Sequence, residues 1–107
     1  MARVCIDPRA LNRVLAPVPF QPPLVRNVLS NLAGCAFFSN LDLEQAFLQI
    51  RVAPENQIKL TFSWKAARYM FDGAPFGIAT TSAVLQRVMN DLFRAHPCFL
   101  PYQDDIT

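Results

Sequence analysis

The residues best placed to do chemistry are three acids set in apolar sequence. Asp104 and Asp105 follow Pro101-Tyr102-Gln103 and precede Ile106, and a lone acid, Asp42, sits far upstream in Ser39-Asn40-Leu41-Asp42-Leu43. Carboxylates are costly to bury as bare anions, so acids in such surroundings are expected to share a cation. Hard carboxylate oxygens suit Mg²⁺, usually held by one or two carboxylates plus substrate phosphates. Two such ions about 3.5–4 Å apart, bridged by acids, drive in-line displacement at phosphorus. The implied chemistry is metal-assisted nucleotidyl transfer.

A sequence of 107 residues allows one domain at most. It is 52% hydrophobic with twelve aromatics, which excludes a disordered chain. The net charge of +2 is too mild to establish a nucleic-acid partner. Seven of the ten basic residues precede position 66, so phosphate contacts are expected mostly on the first half. Cys5, Cys35 and Cys98 are odd in number and show no pairing pattern, which argues against a disulfide scaffold or zinc site; they read as small buried apolar groups. No apolar run approaches membrane-spanning length, and no signal peptide is present, so no membrane partner and an intracellular location are expected.

Several elements must position the acids. Arg3-Val4-Cys5-Ile6-Asp7 reads as a short strand and Asp7 to Asn12 as a turn. Four prolines between Pro17 and Pro23 predict an extended link. Leu24, Val25, Val28, Leu29 and Leu32 recur at helical spacing, with Gly34 just beyond. Ala36 to Leu43 is a β-type run. Phe47 to Val52 alternates as a strand, Ala53 to Asn56 is a turn, and Ile58, Leu60, Phe62 and Trp64 alternate as a half-buried strand, with Arg68 to Phe71 returning. Pro75-Phe76-Gly77 is a loop. Thr80 or Thr81 caps a helix whose stripe Val84, Leu85, Val88, Met89, Leu92 and Phe93 is core, stopped by Pro97. The pattern predicts an α+β fold with helices packed on one face of an antiparallel sheet. With Asp104-Asp105 in a hairpin turn, the returning strand is expected to be missing, leaving an open sheet edge.

Four ordered blocks carry a family resemblance. Arg3 to Asn12 resembles the fingers motif of reverse transcriptases. Phe38 to Ile50 resembles the block holding their first catalytic acid. Pro75-Phe76-Gly77-Ile78 with Leu85 to Asn90 resembles their nucleotide-and-template block, and Tyr102-Gln103-Asp104-Asp105 their Y-x-D-D motif. The wording is most similar to gypsy-class LTR retrotransposons, and the resemblance covers nearly the whole chain. It implies a truncated right-hand polymerase palm with part of the fingers: about 1–35 a fingers portion and link, about 36–107 mainly palm with interleaved fingers strands.

The resemblance also implies roles. Asp42, Asp104 and Asp105, with the carbonyl of Leu43, would hold two Mg²⁺ ions, for which Mn²⁺ could substitute. Arg3 matches an arginine that contacts the incoming triphosphate. Phe47 matches the steric gate that excludes a 2′-hydroxyl, and Phe76 and Gly77 line the nucleotide pocket. Arg9, Gln86 and Tyr102 match template or primer positions, Gln86 and Arg87 lying on the polar side of their helix. Asp7 reads as holding the turn, His96 as a capping or surface residue, and Trp64 as a strand packing residue. Substrates would be dNTPs on an RNA or DNA primer–template, with a thumb and RNase H domain as further Pol parts and a cytoplasmic virus-like particle as the setting. The isolated fragment is expected to be inactive for want of those parts.

Five departures from the family pattern stand out: Pro8, Asp72-Gly73, Thr80-Thr81-Ser82, Leu85, and Pro101 in an expected strand. They raise the competing reading of a catalytically inactive retroelement relic with at most weak nucleic-acid binding. A different Mg²⁺-dependent phosphotransferase using the same acids is the third reading. It leaves Phe47, Gly77 and the first block unexplained.

Overall fold

Prolines and turn residues recur every few positions, so most elements are short. The structure, a computed structural model, describes residues 4–107; Arg3 and the start of its expected strand lie outside the described residues. In chain order the elements are α1 (Arg9–Asn12), α2 (Val25–Asn31), β1 (Leu41–Asp42), α3 (Ala46–Gln49) and α4 (Pro54–Gln57). A 3₁₀ turn at Ile58–Leu60 leads to β2 (Thr61–Trp64) and β3 (Ala67–Met70). Then come α5 (Thr81–Phe93), β4 (Pro101–Tyr102) and β5 (Asp105–Ile106). Helices with antiparallel sheets make this an α+β fold, as expected.

The chain divides into two units. One joins the segment ending at Pro17 to Gln45–Thr81; the other joins Val18–Glu44 to Ser82–Thr107. In the first, β2 and β3 form an antiparallel hairpin with Phe62 opposite Tyr69 and Trp64 opposite Ala67. Phe62 stacks on Tyr69 at 5.6 Å and tilts against Phe71 at 5.3 Å. Trp64 tilts over Tyr69 across the diagonal, as a packing residue should, yet remains 58% exposed. Pro54 opens α4 at a position where no N–H is needed.

Two expected strands of this unit are not strands. Val4–Asp7 has no ladder assignment; a few apolar residues do not make a strand without a partner. Phe47 to Val52 is helical first: Gln45, at φ 53°, offers its carbonyl to the Leu48 N–H, and Ile50 N–H bonds Phe47. The chain becomes extended only at Arg51, which bridges Gly73. A short apolar run does not distinguish helix from strand by periodicity alone.

In the second unit, β1, β5 and β4 form a three-stranded antiparallel sheet in that order. The returning strand expected to be missing is therefore present in β5, because the turn is made by Gln103-Asp104 and reversal is complete by Asp105. Leu100 and Thr107 continue the ladder with reciprocal backbone bonds of 2.8 and 3.2 Å. Pro101 sits in the outer strand β4, where a missing donor is tolerated. Ile106 is buried at 4% exposure. The buried face of α5 is Ala83, Leu85, Gln86 and Met89, whereas Val88 and Leu92 are exposed. The expected apolar stripe is thus only partly core, and the face is rotated toward a polar residue. All three cysteines are exposed, not buried: Cys5 lines a groove with Phe62 and Tyr69, and Cys35 and Cys98 line a second one with Phe99. Grooves left open at these positions are why small apolar side chains stay in contact with solvent. No helix among the described residues is long and apolar enough to cross a membrane.

Candidate active site

Strand register sets two of the three acids opposite one another. Asp42 in β1 lies opposite Asp105 in β5, and Asp105 lies opposite Tyr102 in β4. Directly opposed residues of an antiparallel pair share a face, so Asp42, Asp105 and Tyr102 form one row. Leu41, Ile106 and Pro101 form the row that alternates with it. Asp104 sits on the connecting turn, and its carbonyl accepts the Leu43 N–H at 2.8 Å. One backbone bond therefore ties the turn to the residue after Asp42.

Asp42 and Asp105 are exposed and Asp104 is half-buried. The expected cost of burying these anions is thus not what a cation would relieve. The relevant cost is like charge set directly opposite like charge, which destabilises a strand pair. Among the described residues no three His, Cys, Asp or Glu side chains converge as a ready metal-binding group. The donor set itself, carboxylates plus a backbone carbonyl at Leu43, is hard oxygen throughout and suits a Mg²⁺-type ion.

Gln86 is the residue whose role changes most. Its expected solvated face is contradicted: it is 0% exposed. Its Nε2 donates to the Pro101 carbonyl and to Asn90 Oδ1, each at 2.9 Å, and its Oε1 accepts the Gln103 N–H at 2.7 Å. Apolar spacing drew attention to the wrong face of α5, because a glutamine with every polar atom satisfied can be core.

The nucleotide-block residues lie in the other unit. Phe47, half-buried on α3, meets Phe76 edge-to-face at 5.5 Å and 87°. Gly77 takes φ +91°, and a Cβ there would stand 2.9 Å from Pro8 Cγ. The glycine is required by its own backbone and by Pro8. Asn12 is a residue that sequence reasoning passed over. Its Nδ2 donates to the Gly77 carbonyl at 2.8 Å and its Oδ1 accepts the Ala79 N–H at 2.9 Å, pinning the loop from both sides. Nothing in the spacing of residues 65 positions apart betrays that bond.

Asp7 holds its turn as expected, accepting from the Arg9 backbone N–H and guanidinium. That guanidinium, followed by the backbone N–H, keeps the Asp7 carboxyl below its ordinary value, and the carboxylate raises Arg9. Arg9 is therefore engaged locally. His96 is exposed and edge-on to Phe99.

Comparison with known proteins supplies the family. The profile described as reverse transcriptase (RNA-dependent DNA polymerase) matches residues 1–107. The chain belongs to the reverse transcriptase family. It is 36% identical over 106 residues to the retrovirus-related Pol polyprotein from transposon 297 of Drosophila melanogaster, and 34% over 107 residues to that from transposon gypsy of the same organism. Each alignment covers 97% of this chain and 10% of the relative, so the chain spans about a tenth of their length. In fold it matches the foamy viral protease–reverse transcriptase solved in complex with an RNA/DNA hybrid, at TM-score 0.83 and 25% identity, over 94% of this chain and 14% of that one. The reverse transcriptase segment is of the LTR-retrotransposon kind, and its family generally uses divalent metal ions.

Proposed function

We propose that this segment carries the polymerising centre of an RNA-directed DNA polymerase, adding dNTPs to a primer 3′-hydroxyl on an RNA or DNA template as part of a retrotransposon Pol protein. The observation that carries the reading is the in-register row of Asp42, Asp105 and Tyr102 with Asp104 on the adjoining turn. Asp42, Asp104, Asp105 and the Leu43 carbonyl would hold two Mg²⁺ ions, which supply activation of the 3′-hydroxyl and stabilisation of the leaving pyrophosphate. The remaining work belongs to the chain. Phe47, stiffened by Phe76, excludes a 2′-hydroxyl by bulk. Gly77 brings backbone close to the nucleotide, and Arg3 offers a bidentate phosphate contact. Tyr102 and Arg9 face template or primer.

About 1–35 is the proposed fingers portion and link, and about 36–107 the proposed palm with interleaved fingers strands. Partners follow from the relatives: the foamy viral enzyme was solved with an RNA/DNA hybrid, and a primer–template of that type is the proposed partner here. The relatives are Pol polyproteins, so a thumb and RNase H are the proposed companions, in a cytoplasmic particle. The test is pyrophosphate release by the full-length polymerase that carries this segment. Release requiring both an annealed primer and the complementary dNTP is expected. Equal release without primer would point to another phosphotransfer reaction and overturn the reading.

A further inference from the structure

The hairpin that presents Asp104 and Asp105 turns through a left-handed residue that is braced from outside the turn. Gln103 takes φ +56°, a left-handed conformation that side-chain-bearing residues seldom adopt. Such residues persist where the surroundings over-determine them, and they concentrate at functional sites. Gln103 directly precedes Asp104, so any relaxation of its backbone would re-aim both acids. β4 and β5 are two residues each and supply little rigidity of their own.

The brace is Gln86. Its side chain reaches both arms of the bend, giving a donor to the Pro101 carbonyl and taking the N–H of the strained residue itself. Its side chain is fully buried, and the bonds it makes are part-buried. Its second amide hydrogen goes to Asn90 one turn along α5, which fixes the side-chain orientation. Through this amide the thirteen-residue α5, the longest helix among the described residues, lends its rigidity to a two-residue turn.

We propose that Gln86 is a positioning residue for the metal-binding acids. It acts by locking the Gln103 backbone, so that Asp104 and Asp105 stand in fixed register with Asp42. The inference rests on the polymerase reading above. It differs from a template or primer contact, because every polar atom of the Gln86 side chain is already used within its own unit.

The test compares wild type, Gln86→Met and Asn90→Ala in the full-length polymerase that carries this segment. Met keeps length and apolar bulk and removes the amide. Mn²⁺ alone is the probe, with free ion followed by its paramagnetic resonance signal, alongside the Mg²⁺ dependence of primer extension. Removing an outer partner of metal ligands typically costs 10–100-fold in metal affinity or activity, so Gln86→Met should weaken Mn²⁺ binding by about tenfold or more. The Mg²⁺ needed for half-maximal extension should rise in parallel, while KM for primer–template at saturating Mg²⁺ stays unchanged. Asn90→Ala, at an exposed position, should shift both metal readings the same way by a smaller factor. If Gln86→Met fails to fold, the Asn90→Ala metal readings decide. Unchanged metal affinity with a raised primer–template KM would overturn the inference and make Gln86 a nucleic-acid contact. Wild type that neither binds Mn²⁺ nor extends a primer would overturn the polymerase reading, and the positioning role with it. Wild type that does both, with variants unshifted in metal affinity, overturns the inference alone.

Discussion

Asp42 and Asp105 repel one another across two strands unless a cation lies between them. Asp105→Asn should therefore separate stability from function. Without metal and at low salt, where surface charges are least screened, it should raise the unfolding temperature, because like charges set directly opposite destabilise a strand pair. The same variant should lose primer extension. A fall in metal-free stability, read by thermal unfolding in chelator, would contradict the opposed-charge account. The Asp7 carboxyl is held by the Arg9 guanidinium. Its folded value lies below the ordinary 3.8, so the Arg9 contact contributes above that value and is lost as pH falls through the lower folded one. A carboxyl carbon NMR titration should show the Asp7 midpoint returning to its ordinary value in Arg9→Ala; an unmoved midpoint would deny the contact. At this scale the sequence pointed to the acids that strand register then sets opposite one another, Asp42 and Asp105. It was not readable where a common amide does uncommon work, as at Asn12 and Gln86, because those bonds join residues distant in sequence.

Elements here are positioned by loops as much as by ladders. The Pro75-Phe76-Gly77 loop is held by Asn12 and by the close fit of Gly77 against Pro8. Asn12→Ala removes two hydrogen bonds, each worth about 0.5–1.5 kcal/mol, and should raise KM for dNTP more than it lowers kcat. A proportionate fall in kcat alone would place Asn12 elsewhere in the mechanism. Gly77→Ala meets both a positive φ and the Pro8 ring, and should destabilise by at least about 1 kcal/mol in denaturant unfolding; a neutral result would deny the fit. Gly73, which departs from the family pattern, also has a local cause. A Cβ there would collide with the Leu48 carbonyl, Gly73 bridges Arg51, and Asp72 pairs with the Arg51 guanidinium at 2.9 Å while its carbonyl takes the Val52 N–H. The α2 helix, the return into β3 and the extent of α5 were legible from spacing and turn residues, whereas Ile58–Leu60, expected to begin the β2 strand, is a 3₁₀ turn and the buried face of α5 is not the expected stripe. The α3 turn and the Val4–Asp7 segment were not legible, because each is too short for periodicity to decide and its fate depends on partners.

At the scale of the molecule, the candidate site residues are divided between two discontinuous units. Two of the departures that favoured a relic lose their force. Pro101 occupies an outer strand and Asp72 is ion-paired, so neither damages the fold. The family was legible because four motifs keep their order along the whole chain, whereas the division into units was not, since each is assembled from separated segments. Positioning dominates this chemistry, so the 107-residue chain alone should show little or no primer extension; robust extension by it would refute the need for companion domains. The decisive measurement is templated primer extension on RNA with Mg²⁺ by the full-length polymerase that carries this segment, comparing wild type with Asp42→Asn. Wild type should extend the primer. Asp42→Asn should abolish extension while folding normally, since it removes one of two opposed charges. Extension retained in Asp42→Asn would contradict the assignment of the acid row as the polymerising centre.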